Sequence, residues 1–229
     1  MKKNKSEIVL VVVAHTDDET LGCGGTIARH VKNGDKVFGI AMTDGVSARG
    51  IQENNVIKKR FQASVNASKI LGMEWIVGAE FADNGMDTIA LIEVVKIIEK
   101  VKSKINPTIV YTHSSADLNI DHRIVSQATL TAFRPQPKES WREIRTFEIN
   151  SSTDYGHKSV TKNFIPNLYI NIESTWQIKL AALKEYNVEM REAPHARSLE
   201  GLENLSKYRG NQVGLFYAEA FEIIRKVER

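Results

Sequence analysis

The chain has 229 residues, 42% hydrophobic and 26% charged, the make-up of a folded globular domain rather than a disordered or fibrous one. Its 31 basic and 28 acidic residues leave a formal charge of only +3, with lysines and arginines dispersed, which speaks against a nucleic-acid partner. A single cysteine excludes an internal disulfide, and the apolar run Ile8 to Ala14 is too short to span a bilayer, so no membrane partner and a cytoplasmic location are expected.

The first element, EIVLVVVA (7–14), is almost continuously apolar and β-branched, as a strand buried on both faces should be. Glycines 22, 24 and 25 follow, without the spacing of a phosphate loop, and read as turn and close-packing residues; after them TIARHVKNGD reads as a short helix closed by Gly34. KVFGIAMTD (36–44) reads as a second strand, and a helix is expected from about Val56 to Leu71, stopped by Gly72. EWIVGAEF carries a third strand before the Asp83-Asn84-Gly85 turn, and TIALIEVVKIIEKVKSKI (88–105) a third helix. TIVYTH (108–113) is the fourth strand and DHRIVSQATLTAF (121–133) the fourth helix.

The alternation predicts an α/β fold: a Rossmann-like, doubly wound, mainly parallel sheet with helices on both faces. IRTFEI and LYINI add strands, residues 174–190 a charged helix, and the last forty residues read as helix, loop and helix. We expect one domain over 1–229, a core to about residue 150 and a C-terminal elaboration over 151–229.

In such sheets ligands bind beyond the carboxyl ends of the strands. His15, Asp17, Asp18 and Glu19 follow strand one, Thr43-Asp44 strand two, Asp83 strand three, and His113 to His122 strand four. Acidic and imidazole groups that converge in this way favour a cation. His15 and Asp18, three apart on one loop, can turn toward one ion, and His122 at a helix start supplies a third ligand, the donor set of a catalytic zinc. Two histidines and a carboxylate also suit Fe²⁺ or another divalent metal. Asp17, between the first two ligands, would reach the attacking water as a general base.

These residues carry a resemblance. Ala14-His15-Thr16-Asp17-Asp18-Glu19 is similar to the Ala-His-Pro-Asp-Asp-Glu hallmark of the PIG-L or LmbE-like N-acetylglucosaminyl deacetylases, and Asn119-Ile120-Asp121-His122 to their second motif. Thr43-Asp44-Gly45, the Asp83 turn, Ser151-Ser152-Thr153, Pro194-His195-Ala196-Arg197-Ser198 and Arg209-Gly210 extend it along most of the chain.

The resemblance implies that His15, Asp18 and His122 bind zinc and that Asp17 is the base of an amide hydrolysis releasing acetate from an N-acetylated sugar or sugar conjugate. Thr16 departs from the usual proline and is expected to loosen the loop. Asn119 stands where some members carry a histidine credited with oxyanion stabilisation, so the amide of Asn119 or the imidazole of His113 or His157 is the candidate there.

Asp83, which resembles a sugar-contacting position, is assigned with Arg49, Asp117, Tyr155 and His157 to substrate binding. Glu19 and Asp121 are expected to support the ligands, although Glu19 also suits a helix start and Asp121 an N-cap. Arg134 suits a surface salt bridge, His30 an exposed helix position and Cys23 a packing role, while His195 and Arg197 have no assigned part. Two other readings remain open: a metal-dependent hydrolase of a non-sugar amide, and a non-catalytic nucleotide- or sugar-binding module, which the missing glycine loop disfavours. A homo-oligomer is also left open.

Overall fold

The structure, a computed structural model, describes residues 6–45, 54–157 and 159–228. Strands and helices alternate as β1 (Ile8–Val13), α1 (Asp18–Lys32), β2 (Lys36–Ala41), α2 (Asn54–Leu71), β3 (Glu74–Trp75), α3 (Leu91–Ile105), β4 (Ile109–His113), α4 (Ile120–Ala132) and β5 (Glu143–Phe147). After these come β6 (Leu168–Asn171), α5 (Trp176–Glu185), α6 (Leu199–Asn211) and β7 (Ala218–Lys226). One seven-stranded sheet results, in the order β3-β2-β1-β4-β5-β7-β6. The first five strands run parallel; β7 lies antiparallel between β5 and β6.

The double-sided burial expected of β1 is what divides the core. Val9, Val11 and Val13 face one cluster with Ile27 and Ala28 of α1, Leu71 of α2, Leu183 of α5 and Leu202 of α6. Leu10, Val12 and Ala14 face the other, with Val94, Ile98 and Val101 of α3 and Val125 and Ala128 of α4. Each valine, leucine or isoleucine among these contributes roughly 1.5–3 kcal/mol on burial, so β1 is fixed in the middle of the sheet from both sides. In α3 the buried positions Val94, Val95, Ile98 and Val101 follow one helical stripe, and Asn106 closes the helix at φ 49° before Pro107. Gly22 and Gly25 let α1 approach the sheet: an added Cβ would stand 2.3 Å from Phe147 and 2.8 Å from Ile172. Among the described residues no helix is long and apolar enough to cross a membrane.

Four expectations need correction. The third strand is paired only at Glu74–Trp75, with an isolated bridge at Thr43–Phe81. Between them Gly78 is pressed so closely on the Ala41 carbonyl that a Cβ would lie 2.0 Å from it, and Val77 turns fully outward. The helix expected to reach residue 190 ends at Glu185, and the final helix is strand β7. The helix-prone composition of AEAFEIIRK yields there to pairing on both edges. Its Glu219 is buried, accepting hydrogen bonds from the amides of Gly25 (2.9 Å) and Thr26 (2.7 Å) and from Lys179 Nζ (2.7 Å). His30 is no exposed helix residue: its ring bridges Asp35 Oδ2 (2.7 Å) and Tyr111 Oη (2.9 Å).

Strand order reverses between β1 and β4, so the crevice beyond their carboxyl ends is the topological switch point of the sheet. His15 and His122 meet there.

Candidate active site

Between β1 and α1 the chain turns sharply. Asp17 adopts φ 133°, ψ −28°, a conformation that a residue with a Cβ holds only under constraint. The turn folds Asp18 back so that its Oδ2 accepts from the His15 amide at 2.8 Å, which brings both side chains to one point. On the other side of the crevice Asn119 caps α4, its Oδ1 accepting from the Asp121 amide at 2.8 Å, and sets His122 in the first helical turn. His15 Nδ1 and His122 Nε2 come within 3.2 Å, and Asp18 stands 3.3 Å from the first and 3.4 Å from the second. Ligands about 2.0–2.2 Å from a tetrahedral zinc stand at such separations from one another, so the donor set fits the ion. His15, Asp18 and His122 therefore form a buried group able to hold a divalent metal.

Each of the two histidines has a carboxylate behind it. His15 Nε2 lies 3.0 Å from Asp83 Oδ1 and 3.2 Å from Asp121 Oδ2, and Asp121 is itself fixed by the amides of Asn84 (2.7 Å) and Met86 (3.1 Å). His122 Nδ1 lies 3.0 Å from Asp117 Oδ2, close but off the line of a hydrogen bond. Asp117 accepts from Ser152 Oγ, from Thr153 Oγ1 at 2.8 Å and from the Asn119 amide at 2.8 Å. Paired carboxylates of this kind fix imidazole orientation and basicity.

With so many acids, a positive charge is favoured at the centre. Burial opposes protonation of His122, yet Asp18 and Asp117 raise it to about 9; burial likewise opposes that of His15, which Asp121, Asp18 and Asp83 still hold well above the ordinary value. Burial would raise Asp18, but His122 and His113 keep it well below the usual carboxylate range. A bound cation would take over the role of these protons.

Asp17 faces a different neighbourhood. Burial pushes its carboxyl up to about 6 against the pull of Arg60. Arg60 Nη2 donates to Asp17 Oδ1 (3.2 Å) and to the Thr16 carbonyl (2.9 Å), its Nε donates to Thr16 Oγ1 (3.3 Å), and its Nη1 pairs with Glu189. The Thr16 hydroxyl, absent from the usual proline, gives the arginine a further anchor. Arg197 Nη1 stands 3.6 Å from Asp17 Oδ2, a buried oxygen without a hydrogen-bond partner. Glu19, fully buried and raised by burial to about 7, accepts from the Asp17 amide (3.0 Å), Thr20 Oγ1 (2.6 Å) and Tyr186 Oη (2.8 Å).

Of the remaining candidates, Asp83 is part-exposed and borders the cluster, with its side chain 14% accessible. Asp117 is fully buried, beside His122 rather than on the solvent side. His113 is fully buried too: its Nε2 accepts from the Ala14 amide at 2.9 Å and its ring stacks on His122 at 4.0 Å, and burial lowers it to about 4. Asn119 has both ends engaged, since Nδ2 donates to Asn84 Oδ1 at 3.2 Å. Between the two roles open to Asp121, the cap belongs to Asn119 and the histidine contact to Asp121.

Tyr155 and His157 are exposed on the loop after β5, and Arg134 is exposed past the far end of α4, about 20 Å from its start. Arg49 lies outside the described residues. Reasoning from sequence did not find Arg60, Tyr186 or Glu189: each lies within or just after a helix with no motif spacing to mark it. Arg197 was noticed without a role.

Comparison with known proteins adds to this geometry. The profile of the family described as PIG-L, GlcNAc-PI de-N-acetylase, matches residues 10–133, more than half of the chain. The uncharacterized deacetylase YaiS of Escherichia coli (strain K12) is 31% identical over 189 residues, 80% of this chain and 92% of that protein. Among solved structures, N,N'-diacetylchitobiose deacetylase from Pyrococcus horikoshii superposes with a TM-score of 0.73 at 21% identity, over 96% of this chain and 85% of the other. GalB, the 4-carboxy-2-hydroxymuconate hydratase from Pseudomonas putida KT2440, superposes with 0.76 at 20% identity, over 97% and 99%. At these identities the structural likenesses establish the fold and nothing finer.

Proposed function

Because the chain belongs to the PIG-L family of GlcNAc-PI de-N-acetylases, we propose that it is a zinc-dependent N-deacetylase that hydrolyses the acetamide of an N-acetylated amino sugar or sugar conjugate. The observation that carries this reading is the convergence of His15 Nδ1, His122 Nε2 and Asp18 within 3.4 Å of one another, with Asp17 beside them. Zinc held by these three would acidify a water and polarise the acetyl carbonyl.

The chain's own residues then divide the labour. Asp17 takes the proton of the attacking water, and a carboxyl held near 6 is poised to give it up again. It returns that proton to the leaving nitrogen, so that acetate and a free amine are released. Asp83 and Asp121 fix the tautomer of His15 with Nδ1 toward the cluster, while Asp117 and the stacked ring of His113 fix His122. Arg60 and Arg197 flank Asp17 and keep its carboxylate aimed at the crevice. Asn119 serves as the cap of α4, with its amide committed to Asn84. Asp83, part-exposed beside His15, is the residue assigned to contact the sugar.

The test is zinc content together with acetate release from a panel of N-acetylated hexosamines, their disaccharides and sugar nucleotides. About one zinc per chain with acetate release supports the reading. Stoichiometric zinc without release from any sugar moves the substrate to another amide class, and absence of zinc after reconstitution overturns the mechanism.

A further inference from the structure

The strained peptide of Asp17 needs something to hold it. Its carbonyl accepts from the amides of Thr20 (3.0 Å) and Leu21 (2.9 Å) and so belongs to the first turn of α1. Its amide points the other way and donates to Glu19 Oε2 at 3.0 Å. Glu19 is 0% exposed, and its second oxygen accepts from Thr20 Oγ1 at 2.6 Å and Tyr186 Oη at 2.8 Å. The tyrosine stands 167 residues away, on the residue that follows α5, with its ring packed into the core cluster on that face of the sheet. A chain of contacts therefore runs from the C-terminal elaboration through one buried carboxylate to the backbone of the base.

We infer that Glu19 and Tyr186 are positioning residues that hold the Asp17 peptide in the conformation that aims its carboxylate. They tie the catalytic step to the packing of the end of α5. The inference rests on Asp17 being the general base. Glu19 touches neither a metal donor atom nor the crevice in any contact the structure gives, and Tyr186 reaches the loop through Glu19. A purely structural role would predict something different: loss of stability or of zinc, with rates of the surviving folded protein unchanged. A reacting group displaced by about 1 Å can lose ~100-fold in rate while binding is little altered.

The experiment compares variants on the sugar that the wild type deacetylates fastest. Tyr186→Phe removes one hydrogen bond to a buried carboxylate and keeps the ring. It is expected to lower kcat about tenfold with KM within about twofold and zinc content unchanged, and to speed amide exchange across residues 15–20. In an Asp17→Ala background the same change should leave the residual rate within about twofold, because the group it positions is gone. Glu19→Gln retains an acceptor for the Asp17 amide but cannot accept from Tyr186 as well, and should fall about tenfold like Tyr186→Phe, whereas Glu19→Leu should lose ~100-fold.

Loss of zinc in Tyr186→Phe, an equal fall in both backgrounds, or a Gln variant as impaired as Leu overturns the inference. If the wild type releases no acetate from any sugar, the proposed activity fails by itself. Exchange at residues 15–20 then still decides the positioning role, and no change in Tyr186→Phe overturns it.

Discussion

The two ends of helix α1 each carry a cluster of histidine and acid, buried at the amino end and part-buried at the carboxyl end, and they are built on opposite principles. At the carboxyl end, Asp35 accepts from the Glu7 amide and pairs with His30, His30 meets Tyr111 Oη, and Arg145 links Tyr111 to Glu143. Each of these groups has a partner within the cluster. At the amino end, His15, Asp18, Asp83, Asp117, Asp121 and His122 converge with acids in excess, Asp17 is their neighbour in the chain, and Asp17 Oδ2 and the Nδ1 atoms of His113 and His122 make no hydrogen bond. Burial of titratable groups is common to both. What distinguishes a site is the imbalance left for something else to fill.

That contrast is open to attack at several points. The largest effect is expected from His122→Ala, which removes a donor atom: zinc is lost and acetate release falls ~1000-fold or more, read by metal analysis and rate together. Next comes Asp117→Ala, where the ligand stays but its orientation is freed; zinc affinity should weaken about 10–100-fold in a competition titration. Asn119→Ala sharpens the picture on the other side. Loss of the α4 cap should cost about 1 kcal/mol in denaturant unfolding. The rate should change by less than about threefold, against the ~100-fold expected for an oxyanion donor.

The smallest effect belongs to the carboxyl-end cluster. Burial holds the His30 imidazole below its ordinary value despite Asp35, so folding favours its neutral form. Its contribution is present above the unfolded value of about 6.5 and is lost as pH falls below it. The wild-type Tm should therefore drop by a degree or two more than that of His30→Phe between pH 7.5 and 5.5, with zinc content unchanged in both. A change in zinc content at His30 would erase the distinction between the two ends.

The convergence of His15, Asp18 and His122 was legible because it is local. His15 and Asp18 lie on one turn, His122 opens a helix after a strand, and the strand-end rule places both at the switch point. The fold followed from the same features: the apolar run of β1 and the strand–helix alternation require a parallel sheet covered on both sides. The surroundings of Asp17 were not legible in the same way. Asp17 can be picked out, but Arg60, Glu189 and Tyr186 reach it from α2 and from the end of α5, and only the packing of those helices brings them there. Strand β7 was missed for a similar reason. Its Ala, Glu and Lys content favours a helix in isolation, and it becomes a strand because β5 and β6 offer an edge on each side.

The account depends most on Asp17 acting as the base beside a metal that it does not bind. The direct measurement is the rate of acetate release by Asp17→Ala at full zinc occupancy, on the best sugar substrate. We expect zinc at wild-type stoichiometry and a rate lowered ~100-fold or more, in keeping with the loss of a general base. A rate within about twofold of wild type at full occupancy would contradict it, since a general base contributes ~100-fold at the least.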